Sequence, residues 1–155
     1  ALLSKIPIPA TNIHRIRAED PDAAKAAADY AQEIRRFFKI ESGQVPRFSC
    51  VLLGMGSDGH TASLFPGSPA LRERKRLVMA NWVEKFNSFR ITLTLPVINN
   101  ADLILLLVSG DQKAEIIKAV LTGDSETIRF PVQHIQPYDG ILTWILDQSA
   151  AGRLK

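Results

Sequence analysis

Asp58 and His60, two positions apart in a glycine-rich segment, are the side chains of this sequence best suited to chemistry. The segment is residues 54–60 (GMGSDGH). Imidazole, with an unperturbed pKa of about 6.5, can accept a proton from water at neutral pH, and a neighbouring carboxylate can fix its tautomer. The pair therefore suits hydrolysis or proton abstraction. A structural role is equally compatible with the residues: Asp58 would cap the following turn and His60 would pack as a polar core residue.

The same glycines fit other kinds of site poorly. Residues 54–59 match the dinucleotide-binding pattern GxGxxG, but that site needs a long helix next, and Pro66 and Gly67 would end one after little more than a turn. The segment lacks the Gly-Lys-Ser/Thr of a P-loop, and Ser57 does not lie in a GxSxG nucleophile elbow. The three histidines are scattered along the chain, so we expect neither a metal ion nor a cofactor.

A buried parallel strand is expected to position this segment. Apolar residues 51–53 precede the glycines, and ligands of open α/β sheets bind where such strands end. The alternation of strands and helices predicts one α/β domain over residues 1–155, with an open, mostly parallel sheet flanked by helices. The predicted strands are residues 12–17, 48–53, 77–83, 89–95 and 102–109, and the predicted helices are residues 20–38, 112–121 and 141–151.

Two of these elements carry further expectations. Asp20 and Pro21 are typical of a helix start, with Asp20 as the N-cap. Residues 103–108 are the longest apolar run of the chain, so that strand is expected to be covered on both faces.

Composition excludes several classes of function. Lys and Arg number 19 against 16 Asp and Glu, and no basic stripe stands out, so we expect no nucleic-acid partner. Every apolar run is far shorter than a membrane span, which predicts no membrane partner. The single cysteine, Cys50, cannot form an intrachain disulfide; we expect it to be buried and the protein to be cytoplasmic.

Several motifs resemble those of the 6-phosphogluconolactonases, pentose phosphate pathway enzymes that hydrolyse 6-phosphogluconolactone to 6-phosphogluconate. The main match is residues 52–71 (LLGMGSDGHTASLFPGSPAL). Further matches lie in the family's order and extend the resemblance over nearly the whole chain: residues 80–83 (ANWV), 90–96 (RITLTLP), 108–110 (VSG) with Lys113, 139–140 (DG) and 142–144 (LTW).

The resemblance implies a role for each candidate residue. His60 would be the general base that activates water against the lactone carbonyl, with Asp58 as its supporting group. Arg90 and Lys113 would bind the phosphate of the sugar, and Gly54, Gly56 and Gly59 would let the backbone approach the substrate. Lys113 is also expected in the first turn of a helix, where backbone amides favour an anion. The implied substrate is a phosphorylated sugar lactone.

Two departures from the family pattern stand out. Ser57 occupies a position where the family often has Pro or Glu. The family's N-terminal strand, its Gly-Gly-Ser/Thr-Thr-Pro phosphate loop and its Asp-Glu-Arg motif are not found in these 155 residues. We therefore expect the C-terminal portion of a lactonase, with an incomplete sheet whose exposed edge favours self-association. By itself such a chain is expected to be weakly active or inactive.

Two alternative functions remain open. A glucosamine-6-phosphate deaminase or isomerase would also use an acid/base pair, although residues 61–66 (TASLFP) favour the lactonase. From another class, the chain would be a non-catalytic sugar-phosphate-binding fragment that retains the fold without the reaction.

Overall fold

The computed structural model describes residues 3–123 and 128–154, which form an α/β fold. The strands are Val51–Gly54 (β1), Val78–Val83 (β2), Ser88–Leu93 (β3), Leu103–Val108 (β4) and Ile141–Leu146 (β5). The helices are Ala23–Phe38 (α1), Leu95–Asn99 (α2) and Ala114–Thr122 (α3), and short 3₁₀ turns include Glu84–Phe86 and Asp111–Lys113.

The central sheet is parallel, with strand order β1-β4-β5. Gly54 of β1 aligns with Leu107 of β4, and Leu107 aligns with Ile145 of β5. All three strands therefore end at the same edge of the sheet. The glycine-rich segment follows β1 at that edge, as expected for the ligand side of an α/β sheet.

One face of this sheet carries the main core. Ile104 and Leu106 of β4 are fully buried there with Ile98 of α2 and Ile117 of α3. On the opposite face, where no described element covers them, four apolar side chains are exposed: Leu52, Leu107, Ile141 and Ile145. The prediction that residues 102–109 are covered on both faces was wrong: successive side chains of β4 alternate between the two faces, and Leu107, on the opposite face, is 47% exposed. Self-association through a sheet edge stays a prediction.

A second layer consists of α1 and an antiparallel hairpin formed by β2 and β3. Ala27, Ala31 and Ile34 of α1 pack with Val78 of β2 and Ile91 of β3. This hairpin is a separate two-stranded sheet. Its position matters for function because its connecting turn reaches the glycine-rich segment.

The first helix begins two residues later than one would expect from Asp20. Its N-cap is Asp22, whose side chain accepts a hydrogen bond from the Lys25 N–H at 2.9 Å. Asp20 instead accepts from the Asp22 N–H at 2.9 Å and so stabilises the turn before the helix. The predicted end at Phe38 is confirmed.

Three other expectations were wrong. Residues 141–151 are not a helix: they form β5 followed by turns, because Leu142, Trp144 and Leu146 alternate along a strand that pairs with β4. Residues 12–17 form no strand. Cys50 is exposed, since it lies just before β1 begins, at a cleft between the N-terminal residues and α1.

Candidate active site

The segment after β1 is a tight turn closed by its own backbone. The Gly56 N–H donates to the His60 carbonyl at 2.8 Å, and the Gly59 N–H donates to the Gly56 carbonyl at 3.0 Å. Gly59 has φ +74°, and a Cβ at this position would lie 2.7 Å from Cβ of Phe130. Glycine is therefore required at position 59 both by the backbone conformation and by the space available.

Two further hydrogen bonds hold the turn against the rest of the fold. The buried hydroxyl of Thr61 donates to the Gly54 carbonyl at 2.7 Å, which ties the end of the turn to the end of β1. The Val132 N–H donates to the Gly59 carbonyl at 3.0 Å. The turn is thus fixed from two sides, and its side chains project from a rigid base.

Asp58 and His60 form a direct pair within this turn. Nδ1 of His60 lies 2.5 Å from Oδ1 of Asp58, and the His60 backbone N–H donates to the same oxygen at 3.1 Å. We assign the ring proton to Nδ1, because its partner is a carboxylate. Nε2 is then an acceptor, and no protein atom in residues 3–123 and 128–154 hydrogen-bonds it.

The surroundings of Asp58 keep it ionised. Burial raises the pKa of its carboxyl, but the two hydrogen bonds from His60 outweigh burial, with smaller contributions from the charge interactions with His60 and Lys85, so the pKa lies below its ordinary value of 3.8. At neutral pH the carboxylate is therefore negative. It can orient the neutral imidazole of His60 and stabilise the imidazolium that forms when the ring accepts a proton.

The imidazole of His60 lies between an aromatic ring and a glycine. Its ring stacks on Phe65, with centroids 4.2 Å apart and an interplanar angle of 23°. On another side Gly56 is so near that a Cβ there would overlap Nδ1 and Cε1 of the ring. His60 also lines a cleft of about 340 Å³ with Leu52, Leu53, Gly54, Met55, Gly56 and Ala62. The ring is held firmly while remaining open to a small substrate.

Arg90 is connected to His60 by a series of aromatic contacts. It lies on β3 directly opposite Asn81 of β2, and its guanidinium carbon is 4.9 Å from the ring centroid of Phe86. The Phe86 ring in turn contacts Phe65 with centroids 5.8 Å apart. Because Phe65 stacks on His60, the structure places the exposed Arg90 on the hairpin side of the Asp58–His60 pair.

Lys113 lies at the same edge of the sheet, after β4. It ends the 3₁₀ turn Asp111–Lys113, its N–H donates to the Gly110 carbonyl at 3.2 Å, and α3 begins at the next residue. Lys113 thus directly precedes the helix in which it was expected. Within the part of the chain that the structure describes, no hydrogen bond or ion pair joins it to Asp58, His60 or Arg90.

Two residues near the Asp58–His60 pair were not predicted from the sequence. Lys85 lies in the turn between β2 and β3, with Nζ 3.5 Å from Oδ2 of Asp58, and Phe86 follows it. Two predicted strands with a short connection could have indicated a hairpin. The direction in which the hairpin turn points, however, depends on long-range packing, and the spacing of residues in the sequence does not predict it.

Other kinds of site find little support among residues 3–123 and 128–154. No group of three or more His, Cys, Asp or Glu side chains there could hold a metal ion. The turn is followed by an isolated bridge between Thr61 and Leu64, so the helix that a GxGxxG site requires does not form. Across the same residues, no helix is both long and apolar enough to cross a membrane.

Comparisons with known proteins show the family to which the chain is similar. The family model described as "Glucosamine-6-phosphate isomerases/6-phosphogluconolactonase" matches residues 1–144. The 6-phosphogluconolactonase of Synechocystis sp. is 38% identical over 155 residues, which cover 100% of this chain and 63% of that protein. The 6-phosphogluconolactonase of Homo sapiens is 41% identical over 151 residues, covering 97% of this chain and 57% of that protein.

A solved structure shares the fold. The crystal structure of the devB protein superposes with a TM-score of 0.89 at 35% sequence identity, and the match covers 99% of this chain and 63% of that one. The chain thus spans less than two thirds of the length of these relatives.

Proposed function

Because the chain belongs to the glucosamine-6-phosphate isomerase and 6-phosphogluconolactonase family, we propose that its site hydrolyses 6-phospho-D-glucono-1,5-lactone to 6-phospho-D-gluconate. The observation that carries the proposal is the Asp58–His60 pair, with Nδ1 of His60 2.5 Å from the carboxylate and the ring at a cleft beside β1. The relatives named 6-phosphogluconolactonase support the choice of substrate.

The pair supplies a general base for attack by water. Nε2 of His60 accepts a proton from a water molecule while the water oxygen bonds to C1 of the lactone. Asp58, held at Nδ1, stabilises the resulting imidazolium. The tetrahedral intermediate then collapses: the bond from C1 to the ring oxygen breaks, and Nε2–H returns the proton to that oxygen. The product is the open-chain acid, and His60 is neutral again. A positioned base of this kind contributes about 10² to 10⁴ in rate.

Arg90 and Lys113 are the proposed phosphate ligands. Arg90 is exposed on the hairpin, where its planar guanidinium can bind phosphate oxygens in a bidentate way. Lys113 immediately precedes α3, where the first backbone amides of the helix also favour an anion. Gly54 and Gly56 line the cleft beside His60, where the backbone can meet the sugar. The expected contact between Gly59 and the substrate finds no support, because Gly59 is buried and faces Phe130; its role is to shape the turn.

A panel of three substrates tests the proposal. The chain is assayed with 6-phosphogluconolactone, with unphosphorylated glucono-1,5-lactone and with glucosamine 6-phosphate, each against an enzyme-free blank because lactones hydrolyse spontaneously. We expect acceleration of the phosphorylated lactone above both the blank and the unphosphorylated lactone. Release of ammonia from glucosamine 6-phosphate would instead identify a deaminase. Calorimetric binding of 6-phosphogluconate without any turnover would identify a non-catalytic binding protein.

A further inference from the structure

The hairpin of β2 and β3 is attached to the segment that follows His60. The Ser63 N–H donates to the Thr92 hydroxyl of β3 at 3.2 Å, and the Asn81 amide of β2 donates to the Ser63 carbonyl at 2.8 Å. Asn81 and Thr92 are both buried. Both strands of the hairpin are therefore fixed to the same residue, three positions from His60.

The turn at the end of this hairpin reaches the pair itself. Asn87 adopts a left-handed conformation with φ +44°, and its N–H donates to the Glu84 carbonyl at 3.0 Å, which closes the turn. Within the turn, Nζ of Lys85 lies 3.5 Å from Oδ2 of Asp58, and the ring of Phe86 contacts Phe65. Lys85 thus contacts Asp58 and Phe86 contacts Phe65, and these two residues hold the imidazole of His60.

The two oxygens of Asp58 face different partners. Oδ1 lies against Nδ1 and the backbone N–H of His60, while Oδ2 faces the ammonium of Lys85. Rotation of an aspartate carboxylate about its last torsion is soft, so a single partner does not fix the plane of the group. A second, opposite charge at Oδ2 restrains that rotation. Arg90 is a further cation of the hairpin, and it lies over the ring of Phe86.

We propose that Lys85 is a positioning residue, which holds the Asp58 carboxylate in the orientation that His60 needs. The inference rests on the proposed function, since it assigns Lys85 to the same reaction. Lys85 acts through Asp58 and not on the substrate, so its loss lowers kcat and leaves KM nearly unchanged. The Lys85 side chain is 58% exposed, and the effect is accordingly modest: kcat falls about two- to fivefold, the size that an exposed ion pair supports.

The test compares Lys85→Met and Lys85→Arg with the unaltered 155-residue chain. Lys118→Met, which removes an exposed charge from α3, is the matched control. Two quantities are measured: the titration of the Asp58 carboxyl carbon by ¹³C NMR, and kcat and KM for 6-phosphogluconolactone. We expect the Asp58 pKa to rise in Lys85→Met because a neighbouring positive charge is lost. Lys85→Arg is expected to restore both the titration and kcat, and the control to change neither.

The outcomes separate this inference from the proposed function. If the Asp58 titration is the same in Lys85→Met as in the unaltered chain, Lys85 does not position the pair. If KM rises in Lys85→Met while kcat is unchanged, Lys85 binds substrate, and the positioning role is wrong. The NMR titration requires no turnover, so it still decides the question for Lys85 if the chain proves not to hydrolyse the lactone.

Discussion

Replacing Gly56 by alanine is the most informative single change, because it adds one methyl group directly against the imidazole of His60, the proposed general base. The new Cβ would overlap Nδ1 and Cε1 of His60 and would lie 2.9 Å from Oδ1 of Asp58. Gly56 does not have a positive φ, so the alanine backbone itself is unstrained. The backbone of the turn is fixed by its hydrogen bonds, and the His60 ring is the part that must move.

The expected effect follows from what that movement breaks. When the ring moves away, it loses the hydrogen bond of 2.5 Å from Nδ1 to Asp58. A hydrogen bond to a charged group is worth about 1.5–3 kcal/mol. Each ~1.36 kcal/mol lost from transition-state stabilisation lowers the rate tenfold, so kcat/KM for lactone hydrolysis should fall about 10- to 150-fold. The chain should stay folded, since the displaced ring can turn toward solvent.

The assay is the initial rate of 6-phosphogluconate formation, corrected for spontaneous hydrolysis, with circular dichroism to verify folding. Gly43→Ala is the control for a glycine substitution away from the site: Gly43 lies in the loop before β1, and a Cβ there meets nothing within 4 Å. Because Gly43 has φ +90°, the alanine strains that loop, so its effect is expected on stability and not on the rate of the folded protein. We expect the control to retain its rate. If Gly56→Ala is folded and hydrolyses the lactone as fast as the unaltered chain, the orientation of His60 by Asp58 does not matter for catalysis.

Two further predictions concern charge. The pKa of Asp58 is depressed by folding, so its contribution to stability is present above the unfolded value of 3.8 and is lost as pH falls through the folded value. The difference in unfolding free energy between the unaltered chain and Asp58→Asn, measured in urea, should therefore shrink as pH falls below 3.8. A difference that stays constant with pH would contradict the ion pair. Arg90→Met and Lys113→Met should each raise KM for 6-phosphogluconolactone about tenfold without slowing hydrolysis of glucono-1,5-lactone, and an unchanged KM would remove that residue from the phosphate site.

The local parts of this structure could be predicted from sequence. The apolar residues before Gly54 predict β1, and the glycines predict the turn, because both signals depend on neighbouring residues alone. Residues 141–151 were mispredicted as a helix because Ile141, Trp144 and Ile145 also fit a helical repeat. The fold favours the strand over the helix, because residues 141–146 pair with β4 and form hydrogen bonds to it along their whole length.

The long-range parts of the site could not be predicted in this way. Lys85 is 27 positions from Asp58, and the two meet only because Asn81 and Thr92 attach the hairpin to Ser63. No periodicity links positions so far apart. The exposure of Cys50 is also a matter of tertiary arrangement, as an apolar run predicts burial without specifying where the strand begins.

The measurement that tests the central claim most directly is the rate of 6-phosphogluconolactone hydrolysis by the unaltered chain and by His60→Gln at equal concentration, against an enzyme-free blank. His14→Gln is the control, because His14 pairs with Glu33 on the surface, away from the turn. The unaltered chain and His14→Gln should both hydrolyse the lactone faster than the enzyme-free blank, and the rate with His60→Gln should equal that of the blank. Equal rates for the unaltered chain and His60→Gln would contradict the assignment of His60 as the general base.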